Sequence, residues 1–264
     1  TPRASNRSPE IGPRENHGSL AKKSLAMNST LRLRSLLTFV LVAGLASSCV
    51  VHVDGEGGGI RSTSWLGSKG EHQRGSGVAV TQTREVPEFT SVELESWADV
   101  RIAIAPERAV KVTADDNLVD AVRTRVEDGR LVIDHKPGSY DHRVKVVVEV
   151  ATPVLNAVNL EGSGDIVVES LDAAKFDATL AGSGSITASG KCDVLTAVVA
   201  GSGDIRMFEV VARSATARIA GSGTAQIHAH DRLSAEISGS GDIRYRGKPS
   251  VVSTISGSGT IKRD

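Results

Sequence analysis

The sequence predicts an all-β chain: a right-handed parallel β-helix, or solenoid, of about 20 residues per coil, preceded by irregular β-rich early coils that include a cap. Three observations predict it. Six Gly-Ser-Gly triplets begin at Gly162, Gly182, Gly201, Gly221, Gly239 and Gly257, in steps of 20, 19, 20, 18 and 18 residues. A fixed turn signal at such a period marks stacked units. Residue type is also kept in columns around each triplet. Finally, the period is too short for a propeller blade or for a sandwich of reversing strands, but it suits one turn of a parallel solenoid.

The columns give each element its reason. Two residues before each triplet stand Leu160, Leu180, Val199, Ile219, Ile237 and Ile255, always a large aliphatic. Four before it stand Val158, Ala178, Ala197, Ala217, Ala235 and Ser253, all slim. Four after its first glycine come Ile166, Ile186, Ile205, Ala225, Ile243 and Ile261, with Ile227 compensating for Ala225. The residues between these columns are mostly polar or small. Period-two alternation on both sides of a glycine turn is the pattern of half-buried strands. Each repeat therefore reads as strand, Gly-Ser-Gly corner, strand and loose return, the corner glycines taking φ > 0. Stacked at ~4.8 Å per coil, the columns become ladders and fill the interior.

Residues 85–153 form the N-terminal β-rich part, before the repeats of 154–264. Here Val92 and Leu94, then Val100, Ile102 and Ile104, then Val110 and Val112 alternate, followed by Leu131 to Ile133 and Val144 to Val150. Asn117 to Arg125 is read as one or two helical turns. The stretch is small for an independent domain, so it is expected to share the solenoid core.

Upstream, residues 27–48 read as a secretory signal: Arg32 and Arg34, an apolar run from Leu36 to Leu45, then Ala46-Ser47-Ser48. The small residues end on Cys49, as in a bacterial lipobox, so Cys49 is the expected lipidation site and Met27 the expected start. Residues 1–26 are then a non-native or misassigned extension. Residues 49–84 are glycine-rich and read as a tether. Val50 after the cysteine, in place of Asp, fits sorting to the outer membrane. The localisation expected is the bacterial cell envelope, as an outer-membrane-anchored lipoprotein, with either face open.

Charge limits the partners. The whole chain balances 31 basic against 31 acidic residues, but residues 1–48 hold seven basic and two acidic ones. The remainder carries 24 against 29, a net charge of about −5. That argues against nucleic acid, whose backbone needs clustered Lys and Arg. The lipid would supply the membrane contact. Cys192, the second of two cysteines, is read as structural.

One column offers chemistry. Three residues after each first glycine stand Asp165, Ser185, Asp204, Thr224, Asp242 and Thr260, and Arg206 and Arg244 follow two of the aspartates. These five charged residues, Asp165, Asp204, Asp242, Arg206 and Arg244, form the candidate surface ladder. Aspartates two coils apart would lie ~9–10 Å from one another, too far to share a calcium ion. That separation falls near the upper edge for an inverting glycosidase pair, yet no His, third acid or aromatic platform joins them. Turn capping is the plainer role. His228 and His230 share a strand face but lack an assigned third ligand. No metal, cofactor or catalytic residue is expected.

The segments PEFTSVELESWADVRIA and VKVTADDNLVDAVRTRVEDGRLVI, the junction PVLNAVNLEGSGDI and the recurring GSGDI turns resemble the family of the putative auto-transporter adhesin, head GIN domain. The resemblance spans about residues 85–264. It implies an envelope-associated β-helical domain, often carried on lipoproteins, and brings no catalytic residues with it. The expected function is a non-catalytic, adhesin-like interaction surface toward a glycan or an envelope protein. The alternatives are a periplasmic structural or envelope-stress partner and, third, a polysaccharide-cleaving enzyme.

Overall fold

The computed structural model describes residues 72–264. The signal segment, Cys49 and the tether up to residue 71 lie outside the described residues. Ten shorter strands come first: β1 (His72–Arg74), β2 (Ala79–Thr83), β3 (Ser91–Leu94), β4 (Asp99–Ile104), β5 (Ala109–Asp115), β6 (Val122–Glu127), β7 (Arg130–His135), β8 (Ser139–Asp141), β9 (Val147–Thr152) and β10 (Ala157–Leu160). The repeats follow as β11 (Asp165–Gly182), β12 (Ser185–Gly201), β13 (Asp204–Gly221), β14 (Thr224–Gly239), β15 (Asp242–Arg246), β16 (Ser250–Gly257) and β17 (Thr260–Arg263). They stack in parallel as a β-solenoid of about five turns.

Two aliphatic columns run the length of the stack. One passes through Ile133, Leu94, Leu160, Leu180, Val199, Ile219, Ile237 and Ile255. The other passes through Val148, Val100, Ile166, Ile186, Ile205, Ala225, Ile243 and Ile261. Nearly every member is fully buried, and each large aliphatic contributes roughly 1.5–3 kcal/mol by leaving water. Ile227 is buried behind the small Ala225, as the sequence pattern requires.

Between triplets the return is not loose. β11 runs unbroken for 18 residues and pairs with β12 through Leu171↔Gly190, Ala173↔Cys192 and Phe176↔Leu195. Register shifts interrupt the pairing between Val168 and Leu171, between Thr187 and Ser189, and between Met207 and Val211. These bulges absorb the unequal repeat lengths. They also break the alternation, which is why the return does not read as strand.

The triplet glycines answer two separate demands. Gly182 has φ +156°, and a Cβ there would strike the Gly162 carbonyl oxygen of the coil below. Gly184 has no left-handed backbone, yet a Cβ would strike the Gly164 carbonyl oxygen and the Leu160 side chain. The second glycine of the triplet is therefore set by the close stacking of corner on corner.

The N-terminal part enters the stack out of chain order. β3 is sandwiched in parallel between β7 and β10, and β4 between β9 and β11. The chain forms one coil (β3–β4), drops beneath it to form another (β7–β9), then crosses over to start β10. β6 lies antiparallel on β7 and β5 antiparallel on β9, with β2 antiparallel on β5. Only one short 3-10 turn, Val119–Ala121, stands in the expected helical stretch, and Val122 already begins β6. Part of the expected tether is also structured: β1 pairs with β8, and β2 with β5.

Candidate functional site

The ladder residues come together on the sheet face that follows the triplets. Each inward Ile or Ala of that column forces its two neighbours outward, so Asp204 and Arg206, Thr224 and Gln226, and Asp242 and Arg244 project on one side. These six line a shallow depression of about 220 Å³. Arg206 donates to Asp204 Oδ2 at 2.8 Å. Arg244 Nη1 lies 4.0 Å from Asp264 Oδ1.

At two of the three aspartates the alternation of Asp with Ser or Thr is a pairing, while Asp204 is engaged by Arg206. Asp165 Oδ1 accepts hydrogen bonds from the backbone N–H and the hydroxyl of Ser185, at 3.0 and 2.7 Å. Asp242 Oδ1 accepts the same two bonds from Thr260, at 3.1 and 2.5 Å. The hydroxyl bond from Thr260 leads in holding the Asp242 carboxyl below the ordinary carboxylate range. A carboxylate of one coil thus fastens the corner of the next. The column also extends downward: Asp99 precedes Val100, the partner of Ile166, and is held by Lys145 at 2.5 Å. That member was not found from sequence because Ser96-Trp97-Ala98 replaces the triplet there.

The other candidates separate. His228 Nδ1 lies 3.2 Å from the Phe208 carbonyl oxygen, and His230 Nδ1 lies 2.7 Å from Asp231 Oδ1, so each has its own partner. Cys192 is buried, and desolvation pushes its thiol up to about 11, which leaves it protonated and unreactive at neutral pH.

Two clusters carry no repeat signal. Glu93, Glu95 and Glu161 bring carboxylate oxygens within 4.8 Å of one another, a spacing that a cation could bridge. Glu93 is already held by Arg130 at 2.9 Å, and burial, more than its acidic neighbours, raises its carboxyl. The matched segments Val92-Glu93-Leu94-Glu95 and Val158-Asn159-Leu160-Glu161 contain this cluster, once β3 is known to pair with β10. The second cluster is aromatic: Trp97 packs on His142 at 4.3 Å between ring centroids, and His135 and Tyr140 lie about 6 Å further along. It surrounds the early corner, away from the ladder.

Comparison with known proteins supplies the context. Among solved structures, the chain is similar to a putative adhesin from Bacteroides fragilis NCTC 9343, with TM-score 0.63 and 21% identity, covering 73% of this chain and 100% of that one. It is also similar to a putative lipid binding protein from Parabacteroides distasonis ATCC 8503, with TM-score 0.50 and 27% identity, covering 74% and 100%. No curated protein matches the chain. The model of one family matches residues 88–249, more than half of the sequence. By that match, the chain belongs to the family of the putative auto-transporter adhesin, head GIN domain.

Proposed function

We propose that the protein is a non-catalytic cell-envelope lipoprotein, anchored through Cys49, which presents the outward face of its solenoid as an adhesin-like surface for acidic glycan. The observation that carries this reading is the depression lined by Asp204, Arg206, Thr224, Gln226, Asp242 and Arg244. It is open and polar, and its guanidinium groups stand in register along the stack. Arg is suited to carboxylate groups because its donors form a rigid planar fork that matches the two carboxylate oxygens. A repeating acidic sugar chain laid along the axis would meet Arg206, Arg244 and Lys262 in one row.

The same geometry weighs against cleavage of that glycan. A general acid needs a raised pKa, whereas Asp242 is pushed the other way by Thr260. Asp204 is neutralised by Arg206 at its side. The family and the Bacteroides neighbour are both described as adhesins, which supports a surface or envelope role.

Two measurements test the reading. Protease shaving of intact cells, followed with an antibody to residues 85–264, should remove the domain without lysis. Protection until the outer membrane is opened would replace the adhesin role with that of a periplasmic partner. In binding assays with a uronic-acid polysaccharide, the double variant R206A/R244A should bind at least about tenfold more weakly than the parent, the loss of two charged contacts. Equal binding by both would overturn the ladder as the glycan site. Release of new reducing ends, lost in D204A or D242A, would restore the enzyme.

A further inference from the structure

The two ends of the coil stack are finished differently. At one end β6 and β5 lie antiparallel across β7 and β9, and the first members of the two columns, Ile133 and Val148, are completely buried. At the other end no described residue lies beyond β16 and β17. Every residue of β16 is exposed. Val251 and Ile255 are 36% and 46% exposed, against 1% and 0% for Leu233 and Ile237, their partners one coil below. An interior column therefore runs out into water.

The backbone is equally unfinished. Among the described residues β16 pairs only with β14, and β17 only with β15, so within them each has a row of unpaired N–H and C=O groups along one edge. Exposed edges usually carry charge, proline or a bulge that blocks further pairing. No residue of β16 is charged and none is proline, whereas β17 ends in Lys262 and Arg263; the unguarded edge is β16. That is an edge built to be paired.

We propose that this end docks a second copy of the same chain, tail to tail about a two-fold axis, with the two β16 strands pairing antiparallel. The strand is its own complement. Val251 and Ile255 are placed symmetrically about Ser253, and all three belong to the inward set. Antiparallel pairing centred on Ser253 sets each Val251 opposite the Ile255 of the other copy, and inward residues stay inward. A neutral edge meets itself without like-charge repulsion. The other end does not match this edge: its outermost strands are the short β2 and the antiparallel β6, and β6 carries Arg123, Arg125 and Glu127, the charge that blocks edge pairing. Like-on-like stacking therefore closes at two copies and does not grow into a fibre. The eight residues of each β16, with the coil end around them, would bury about 1,000 Å² in total, at the lower bound for a specific interface, which points to micromolar affinity.

Sedimentation equilibrium of the full chain in density-matched mild detergent, from about 1 to about 100 μM, reads this directly. A monomer–dimer equilibrium is expected, weakened at least about tenfold by Ile255→Lys, which would set an unpaired cation against the apolar Val251 of the other copy at both symmetric positions. Glu127→Lys, at the capped end, should leave it unchanged. A monomer throughout, or a dimer indifferent to Ile255→Lys, overturns the proposal. Ser253→Cys guards against misfolding of the lysine variant. On oxidation it should form a covalent dimer that neither the parent nor Ser238→Cys, one coil below, can form. Absence of that crosslink also overturns it.

Discussion

The repeat coils and the N-terminal part are built on the same two columns but held together in opposite ways. From β10 onward each coil follows its neighbour in sequence, and the register of side chains fastens it to the coil beneath. Among the described residues the buried polar ones are Glu93, Ser96, Asp115, Asp134 and Thr152, all of them before β10. The N-terminal part places β7 beneath β3, although β7 comes later in the chain, and it must be closed over distance. Glu93 does so with Arg130 at 2.9 Å, across β3 and β7, while Asp134 holds the local β6–β7 hairpin through Arg123 at 2.7 Å and Arg125. Asp115 does so by accepting bonds from the N–H groups of Gly77, Arg143 and Val144, at 2.8, 3.1 and 3.1 Å. A repeat can rely on its neighbour; a chain that doubles back needs buried polar fasteners.

The largest expected effect tests those fasteners. Asp115→Ala strips the acceptor from three backbone N–H groups at a fully buried site, a loss of about 3–5 kcal/mol. Urea unfolding should show it as a lower midpoint. Limited proteolysis should cut first between residues 75 and 144, while the repeat region survives. Uniform weakening of both regions would break the contrast.

Gly184→Ala probes the repeats in turn. Its new methyl group would collide with the Gly164 carbonyl oxygen, and relieving that overlap should cost about 1–3 kcal/mol. Gly129→Ala, in the N-terminal β-turn, meets nothing within 4 Å and only forces a side chain to φ +74°. It should cost about 1 kcal/mol. Equal thermal shifts in the two variants would mean that the collision at a stacked corner costs no more than a strained φ at an open turn.

Acid should loosen the N-terminal part first. Burial lowers the His142 pKa, and the nearby Asp115 carboxylate, 3.5 Å away, only partly offsets this. The unfolded chain then binds a proton that the folded one refuses, in the window just below the ordinary histidine value of 6.5. Stability falls as pH drops through that window. Asp115 acts lower still. Burial would raise its carboxyl, but the bonds from Gly77, Val144 and Arg143 outweigh this and hold it below 3.8, so its contribution is lost as pH falls through that lower value. Urea midpoints at pH 7.5 and 5.5 should differ in the parent and converge in His142→Gln.

How far the sequence reveals this molecule follows from the same contrast. The columns at Leu160, Leu180 and Val199 are legible because sequence period and spatial period coincide. The position of β7 is not, because Leu131 and Ile133 carry the right alternation but nothing in them says which strand they adjoin. The corner at Ser96-Trp97-Ala98 likewise hides its identity, since no matching triplet joins β7 to β9 beneath it and Trp97 packs instead on His142 from that connection. The ladder of Asp165, Asp204 and Asp242 with Arg206 and Arg244 is visible as a column. What Asp165 and Asp242 bond is not, because the partner stands about 20 residues away and one coil up.

The smallest effect sharpens that last point. Asp, Ser and Thr at one column position would be interchangeable if each merely capped its own turn. The bonds of Asp165 to Ser185 instead make adjacent coils complementary. Ser185→Ala removes the hydroxyl donor and leaves the backbone bond, a change of about 1 kcal/mol. Ser185→Asp sets two carboxylates one coil apart and should cost more than the alanine, with the excess shrinking as salt is added. Turn capping alone predicts the reverse order, since Asp caps a turn better than Ala. Thermal denaturation of the two variants at low and high salt therefore decides whether the alternation is a set of separate caps or a chain of clasps running up the stack.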